Sequence, residues 1–241
     1  MNAMFPSLLA GLATALGCLL VLFAKYPGQR TLALILGGAA GVMLAVVTMD
    51  LIPAALKTGT PLQAVKGMII GAGILFLLDR FLTGRNITLP FHKDSAMRRL
   101  GYLMAIGIAL HDLPEGMAIA GAYAAGGKLG PLLALSIALH NIPEGIATAA
   151  PLKMGGLRYR QILLINILVS LFTPLGTIFG LFIIHLSPYH LSFLLALAAG
   201  AMLYLIKDEL LPAALSRHLL WCWLGVVLGF ALLWLAMVIA V

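Results

Sequence analysis

The chain has 241 residues, of which 62% are hydrophobic and 10% are charged, and its formal net charge is +7. Soluble domains carry about 25% charged residues, so this composition excludes an ordinary soluble protein and predicts an all-α polytopic membrane protein. The positive charge does not indicate nucleic-acid binding, because Lys and Arg in membrane proteins mark cytoplasmic loops.

Apolar stretches long enough to cross a hydrocarbon core of about 30 Å predict eight transmembrane helices in chain order. Their bounds are 4–24, 31–52, 66–83, 98–122, 130–151, 161–186, 190–211 and 219–241. Twelve of the 15 Lys and Arg residues fall on one side of this topology, in or beside its loops. The positive-inside rule therefore predicts that this side, with the loop 84–97, is cytoplasmic. Both termini then lie outside the cytoplasm. The predicted location is the inner or plasma membrane of the cell.

Spans 2 and 7 share a repeated segment. The stretches AAGVMLAVVTMDLIPAAL (39–56) and AAGAMLYLIKDELLPAAL (198–215) are identical at ten of eighteen positions, and Asp50 aligns with Glu209. Because the two spans run in opposite directions, the repeat predicts an inverted topology, which is a common plan for transporters. It puts Asp50 near the outer mouth and Glu209 near the inner mouth, as candidate entrance and exit residues.

Spans 4 and 5 carry a second repeat, IALHDLPEGMA (108–118) and IALHNIPEGIA (137–147), offset by 29 residues. In each copy a His precedes a Glu by four positions, which puts both side chains on one face of a helix. The residue after each His, Asp112 or Asn141, is turned about 100° away and can line an adjoining site.

The paired motifs predict a divalent-cation site near mid-membrane, because two antiparallel helices bring together His111, Glu115, His140 and Glu144. A carboxylate at this depth costs about 2.5–3.5 kcal/mol on insertion scales. A bound cation offsets that cost, and imidazole with carboxylate suits zinc and its first-row neighbours. The alternative is that the histidines only hydrogen-bond between packed helices, but it leaves the carboxylates without a counter-charge.

At these residues the chain resembles the ZIP family of divalent metal transporters, and its bacterial branch in particular. The paired HxxPEG motifs are similar to that family's fourth and fifth helices, and the repeated AAG segments to its second and seventh. The resemblance covers nearly the whole chain. It implies one transmembrane domain over 1–241 with eight helices in a 3+2+3 inverted-repeat arrangement, a homodimer in the lipid bilayer, and zinc transport into the cytoplasm.

The resemblance also implies individual site residues. The His and Glu residues of both motifs would form the primary metal site, and Met43 matches a thioether ligand of some bacterial members, although core packing explains it equally well. Asp112 and Asn141 match a neighbouring second site that the glutamates bridge. Many bacterial members complete that second site with a glutamate before PLG in helix 6. This sequence has Thr173 there, which favours one firmly held metal over two.

Several alternatives stay open at this point. An intramembrane metal-dependent enzyme is disfavoured, because zinc proteases use HExxH and here Asp112 or Asn141 follows the histidine. A structural membrane protein and an exporter are further alternatives. Within import, the substrate is Zn²⁺, with a broad-range Fe, Mn or Cd transporter as the alternative.

Overall fold

The structure, a computed structural model, describes residues 3–24, 27–84, 94–125, 129–182 and 188–240. The regular elements in these ranges are helices. They are α1 (Met4–Phe23), α2 (Gln29–Val46), α3 (Ile52–Thr58), α4 (Pro61–Gly84), α5 (Asp94–Ala125), α6 (Leu129–Met154), α7 (Tyr159–Ser170), α8 (Phe172–Phe182), α9 (Pro188–Tyr204), α10 (Leu211–Leu215) and α11 (Leu219–Ala240). The predicted all-α class is confirmed.

Among the described residues, six helices are long and apolar enough to cross a membrane. These are Met4–Phe23, Gln29–Thr58, Pro61–Phe81, Ala96–Tyr123, Gly130–Met154 and Tyr159–Phe182. The helix of predicted span 7 is not among these six. It carries the charged run Lys207, Asp208 and Glu209. Predicted span 8 contains a shorter apolar helix, Leu219–Leu235.

Two π-helical turns interrupt the repeated helices at equivalent places. Val47–Leu51 joins α2 to α3, and Leu205–Leu210 joins α9 to α10. Each turn is followed within two residues by a proline, Pro53 or Pro212. Proline has no amide hydrogen to donate, and its ring crowds the carbonyl four residues earlier. A wider i→i+5 turn relieves that crowding, so each helix continues beyond its proline.

Several predicted boundaries differ from the structure. Span 2 was expected to end at residue 52, but helix continues to Thr58 because the π turn accommodates Pro53. The predicted loop 84–97 is shorter on its C-terminal side, because α5 already begins at Asp94, where Ala, Met and Arg favour helix. Residues 85–93 of that loop lie outside the described residues. Span 6 is divided at Leu171 into α7 and α8, three residues before Pro174.

Glycines pack four pairs of helices backbone to backbone. A Cβ on Gly41 would overlap the carbonyl of Val226, one on Gly71 that of Leu197, one on Gly116 that of Thr173, and one on Gly145 that of Thr14. These contacts define the pairs α2/α11, α4/α9, α5/α8 and α1/α6. Small residues allow this close approach, which drives helix association in lipid.

The helices of each pair run in the same direction. In α1/α6, for example, Asn141 donates a hydrogen bond to the carbonyl of Ala10 and Lys153 donates one to that of Val21, both at 2.9 Å. Residue numbers therefore rise together along the two helices. Gly67 and Gly71 likewise meet successively later positions of α9.

The pairs assemble into two bundles. We call α1, α5, α6, α7 and α8 the site bundle, because it contains both HxxPEG motifs; α2, α3, α4, α9, α10, α11 and the two π turns form the flanking bundle. The most extensive packing lies within each bundle. Between the bundles, Gly107 of α5 lies against the side chains of Leu75 and Leu205.

Basic side chains cap helix ends at one end of the site bundle. Lys153 is buried, and its Nζ donates to the carbonyls of Val21, Leu22 and Ala24 at 2.7–3.2 Å. Arg98 donates through Nε and Nη2 to the carbonyl of Gly155 at 2.9 and 2.7 Å. Cations at the C-terminal end of a helix satisfy its last carbonyls and oppose its dipole.

Candidate metal centre

The two HxxPEG motifs meet face to face on α5 and α6. His111 Nε2 lies 3.3 Å from Glu144 Oε1, and His140 Nε2 lies 3.0 Å from Glu115 Oε1. The earlier residue of one motif thus meets the later residue of the other, so the two helices are antiparallel. Both helices continue through Pro114 and Pro143 without a break.

This arrangement is buried and short of hydrogen bonds. Exposure of the four residues is 0% for His111, 1% for His140 and Glu144, and 3% for Glu115. Neither ring nitrogen of His111 and neither carboxylate oxygen of Glu144 has a hydrogen-bond partner in the structure. Buried polar atoms without partners are costly. Their convergence at one place indicates a ligand that satisfies several of them together.

The spacing of the donor atoms fits a tetrahedral zinc ion. His111 Nε2 is 3.2 Å from Glu115 Oε1 and 3.3 Å from Glu144 Oε1, and the His140–Glu115 distance is 3.0 Å. Around four-coordinate zinc with bonds of about 2.0–2.1 Å, neighbouring ligand atoms are about 3.3–3.4 Å apart. Donor atoms of His111, His140 and Glu144 all lie within 4.8 Å of one another. Small adjustments of side chains would therefore close the four donors around one ion.

The residues predicted for a second site adjoin this centre. Asp112 is fully buried, its carboxylate oxygens have no hydrogen-bond partner, and it groups with His111 and Glu115 within 4.8 Å. Asn141 donates to the carbonyl of Ala10 at 2.9 Å and keeps an unpartnered Oδ1. Thr173 is fully buried, also has an unpartnered hydroxyl, and packs by its carbonyl against Gly116.

The other predicted residues differ in their surroundings. Met43 is fully buried in the main apolar core, and its role as a ligand stays a prediction. Asp50, in the first π turn, is close enough to interact electrostatically with Glu115, His140 and His111. Glu209, in the second π turn, instead forms an ion pair with Arg99 at 2.6 Å.

The partners of Glu209 were not predicted from the sequence. Arg99 also binds Asp79 of α4, with Nη2 to Oδ1 at 2.6 Å. The hydroxyl of Tyr204 donates to the other oxygen of Asp79 at 3.1 Å. An Asp at the end of an apolar span was a signal that a partner lay nearby. Arg99, the partner of Asp79, entered the sequence-based prediction only as one of the basic residues that mark the cytoplasmic side.

Comparisons with known proteins agree with the geometry. The family model "ZIP Zinc transporter" matches residues 90–237, more than half of the chain. The zinc transporter ZupT of Chlorobium luteolum is 36% identical over 232 residues, covering 88% of this chain and 87% of that protein. ZupT of Chlorobium phaeovibrioides is 38% identical over 240 residues, covering 89% and 90%, and ZupT of Corynebacterium efficiens is 34% identical over 234 residues, covering 88% and 87%. With both HxxPEG motifs facing each other inside a helical membrane protein, the chain belongs to the ZIP family of zinc transporters and is a transporter, not an enzyme.

Proposed function

We propose that this protein carries Zn²⁺ into the cytoplasm by alternating access, and that His111, Glu115, His140 and Glu144 hold the ion on its way. The observation that carries this proposal is that four buried residues converge, with the donor atoms of three His–Glu pairs 3.0–3.3 Å apart, a spacing close to the ligand spacing of zinc. The carboxylates supply the charge that offsets the dehydration of the cation, and the imidazoles supply the nitrogen ligands that zinc prefers.

The division into two bundles supports alternating access. All four proposed ligands lie in the site bundle, so they move together if that bundle moves against its neighbour. Where α5 meets the flanking bundle, the contacts of Gly107 with Leu75 and Leu205 are apolar. Such contacts carry no directional bonds that fix one position. Motion of this kind would expose the ion to each side of the membrane in turn.

The helix pairs support the proposed eight-helix, 3+2+3 inverted repeat. A repeat that exchanges α2 with α9 and α5 with α6 must also exchange the pair α1/α6 with α8/α5, and α2/α11 with α9/α4. The four glycine-packed pairs satisfy this requirement. The two π turns fall at equivalent places of the repeat. Inverted repeats of this kind are common where a midplane site faces both sides alternately.

The inward direction rests on the resemblance to the ZIP family, and the orientation that we propose says which end of the molecule faces the cytoplasm. Lys153, Arg98 and Arg99 cap or tie helices at one end of the molecule, and the positive-inside rule assigns that end to the cytoplasm. Asp50 is then the acidic residue on the outer approach, and Glu209 the one on the inner side. We extend the proposal to a homodimer in the plasma membrane with both termini outside.

Uptake into proteoliposomes tests this function. Purified protein should accumulate Zn²⁺ in vesicles, and parallel assays with Cd²⁺, Mn²⁺ and Fe²⁺ separate a zinc transporter from a broad-range one. Empty vesicles and vesicles with heat-denatured protein are the controls. If intact protein moves none of these ions in either direction, the proposed function is wrong.

Thr173 restricts the centre to one firmly held zinc ion. Its hydroxyl is neutral, whereas the adjoining Asp112 carboxylate has two oxygens without partners. We expect Thr173→Glu to add a carboxylate there and raise bound zinc from one to two ions per chain, measured by equilibrium dialysis with metal analysis. Thr173→Gln, which has similar length and no charge, should leave one. An unchanged stoichiometry in the Glu variant would contradict this assignment of Thr173.

A further inference from the structure

Arg99 joins the two bundles through charged hydrogen bonds. It lies on α5 of the site bundle and donates through Nε and Nη2 to Asp79 Oδ1 at 2.9 and 2.6 Å. The same Nη2 donates to Glu209 Oε1 at 2.6 Å. Asp79 belongs to α4 and Glu209 to the second π turn, both in the flanking bundle. One guanidinium therefore connects three helical segments of two bundles.

These bonds lie in a partly enclosed environment. The side chain of Arg99 is 33% exposed, that of Asp79 14% and that of Glu209 8%. Water screens such a group less than it screens a surface pair, and short bonds between charged groups are about twice as strong as neutral ones. Removing the guanidinium would take away the positive charge that lies between two neighbouring carboxylates. A surface ion pair contributes little to stability. We therefore expect this bridge to contribute more than such a pair to the stability of the observed position of the site bundle against the flanking bundle.

The bridge is specific to one relative position of the bundles. Arg99 precedes His111 by twelve residues on the same helix, which corresponds to a rise of about 18 Å. If α5 moves with the site, Arg99 moves with it, while Asp79 and Glu209 stay with the flanking bundle. A hydrogen bond of 2.6 Å is lost once its donor and acceptor move about 1 Å further apart, so a bundle displacement larger than the arginine side chain can follow breaks the bridge. The apolar contact of Gly107 with Leu205 imposes no comparable limit.

We propose that the Arg99 bridge selectively stabilises one conformation, the one in which the His/Glu centre is buried. The hydrogen bonds of Arg99 to Asp79 and Glu209 must break before the site bundle can move. This inference rests on alternating access, but not on the identity of the ligands. Arg99 does not belong to the metal centre, and its role is to position one bundle against the other.

Arg98 provides a matched control. It is the neighbouring residue on α5 and also a partly buried arginine, but its guanidinium bonds to the Gly155 carbonyl within the site bundle. A variant at Arg98 removes the same side chain and charge, but the hydrogen bonds that it loses lie within the site bundle. Loss of general stability at this end of the molecule would affect both variants alike.

The test measures distances between two spin labels by pulsed electron resonance. The labels replace Arg160 in the site bundle and Ser216 beside the flanking bundle, both exposed, in a chain with Cys18→Ala and Cys222→Ala. We expect one dominant distance in the parent protein. Arg99→Ala should lower the ratio of that population to the alternatives about tenfold, a modest shift on the scale of ligand-driven transitions. Arg98→Ala should leave the distribution unchanged.

Further variants complete the test. Arg99→Asp combined with Asp79→Arg reverses the charges, keeps a guanidinium within reach of Glu209, and should restore the parent distribution. Arg99→Lys keeps the positive charge but lacks the planar guanidinium, so it should give a distance distribution between those of the parent and Arg99→Ala. This variant replaces Arg99→Ala if the Ala variant does not fold. An unchanged distribution in Arg99→Ala, or equal changes at Arg98 and Arg99, would overturn the proposal. Zinc should still bind to Arg99→Ala. If a variant of a proposed ligand loses zinc but keeps the parent distribution of spin-label distances, the result bears on the metal centre and not on the Arg99 bridge.

Discussion

Glu144→Gln is expected to lower zinc uptake by about 100-fold or more. The substitution keeps the shape of the side chain but removes a charge whose two oxygens are buried without hydrogen bonds, one of them 3.3 Å from His111 Nε2. Even residues that only orient metal ligands change affinity by about 10–100-fold when mutated, so loss of a charged ligand should cost at least as much. Initial rates of Zn²⁺ uptake in proteoliposomes, at several zinc concentrations, measure the effect.

Thr148→Ala is the control for this prediction. Thr148 lies one turn further along α6, is fully buried, and its hydroxyl donates to the backbone carbonyl of Glu144 at 3.0 Å. Because that bond stays within the helix, its loss should change uptake less than about threefold, as expected for a neutral intrahelical hydrogen bond. Near-normal uptake by Glu144→Gln would remove Glu144 from the proposed ligands.

Gly145→Leu is expected to have the largest effect on stability. A Cβ at this position would overlap the carbonyl oxygen of Thr14 and lie 2.8 Å from its carbonyl carbon. Those atoms are backbone and cannot rotate away, so α1 would have to move off α6. Overpacking of this kind costs about 3 kcal/mol at the upper end of the usual range, which lowers the melting temperature by roughly 6–12 °C in a chain of this size.

Gly121→Leu is the matched substitution on α5. Gly121 is exposed, and a Cβ there would meet nothing within 4 Å. Leucine has a higher helix propensity than glycine, so this variant should melt at or slightly above the parent temperature. Thermal unfolding in one detergent, followed by intrinsic fluorescence, compares the two. Equal melting temperatures for the Gly145 and Gly121 variants would mean that the α1/α6 contact is looser than the structure indicates.

The sequence predicted the centre better than its surroundings. His and Glu four residues apart must share a helix face, and two copies on antiparallel helices can meet in one way only when both faces are buried. That argument needs no long-range information. It brought together His111, Glu115, His140 and Glu144, and in the structure three His–Glu pairs among them lie 3.0–3.3 Å apart.

The π turns and the Arg99 bridge were not predictable in the same way. A proline in a span predicts a disturbed helix, but whether the helix ends or widens depends on packing around Pro53 and Pro212. Charge counting assigned Arg99 to the cytoplasmic side without a partner. Its bonds to Asp79 and Glu209 join residues 20 and 110 positions away, and no local pattern encodes such a pairing.

The position of Thr173 was readable from sequence only as a departure from a family pattern. The structure adds that Thr173 packs by its backbone against Gly116, beside Glu115. The second-site role predicted for Asn141 did not include the hydrogen bond that its amide donates to the carbonyl of Ala10 at 2.9 Å.

Anomalous diffraction at the zinc absorption edge, from crystals of the parent protein grown with zinc, tests the central claim most directly. The account predicts one strong peak between α5 and α6, within about 2.0–2.2 Å of nitrogen or oxygen donors from both HxxPEG motifs. The same peak should be missing from crystals of Glu144→Gln. A dominant peak elsewhere, for example beside Asp79 and Glu209, with no density between His111 and His140, would contradict it.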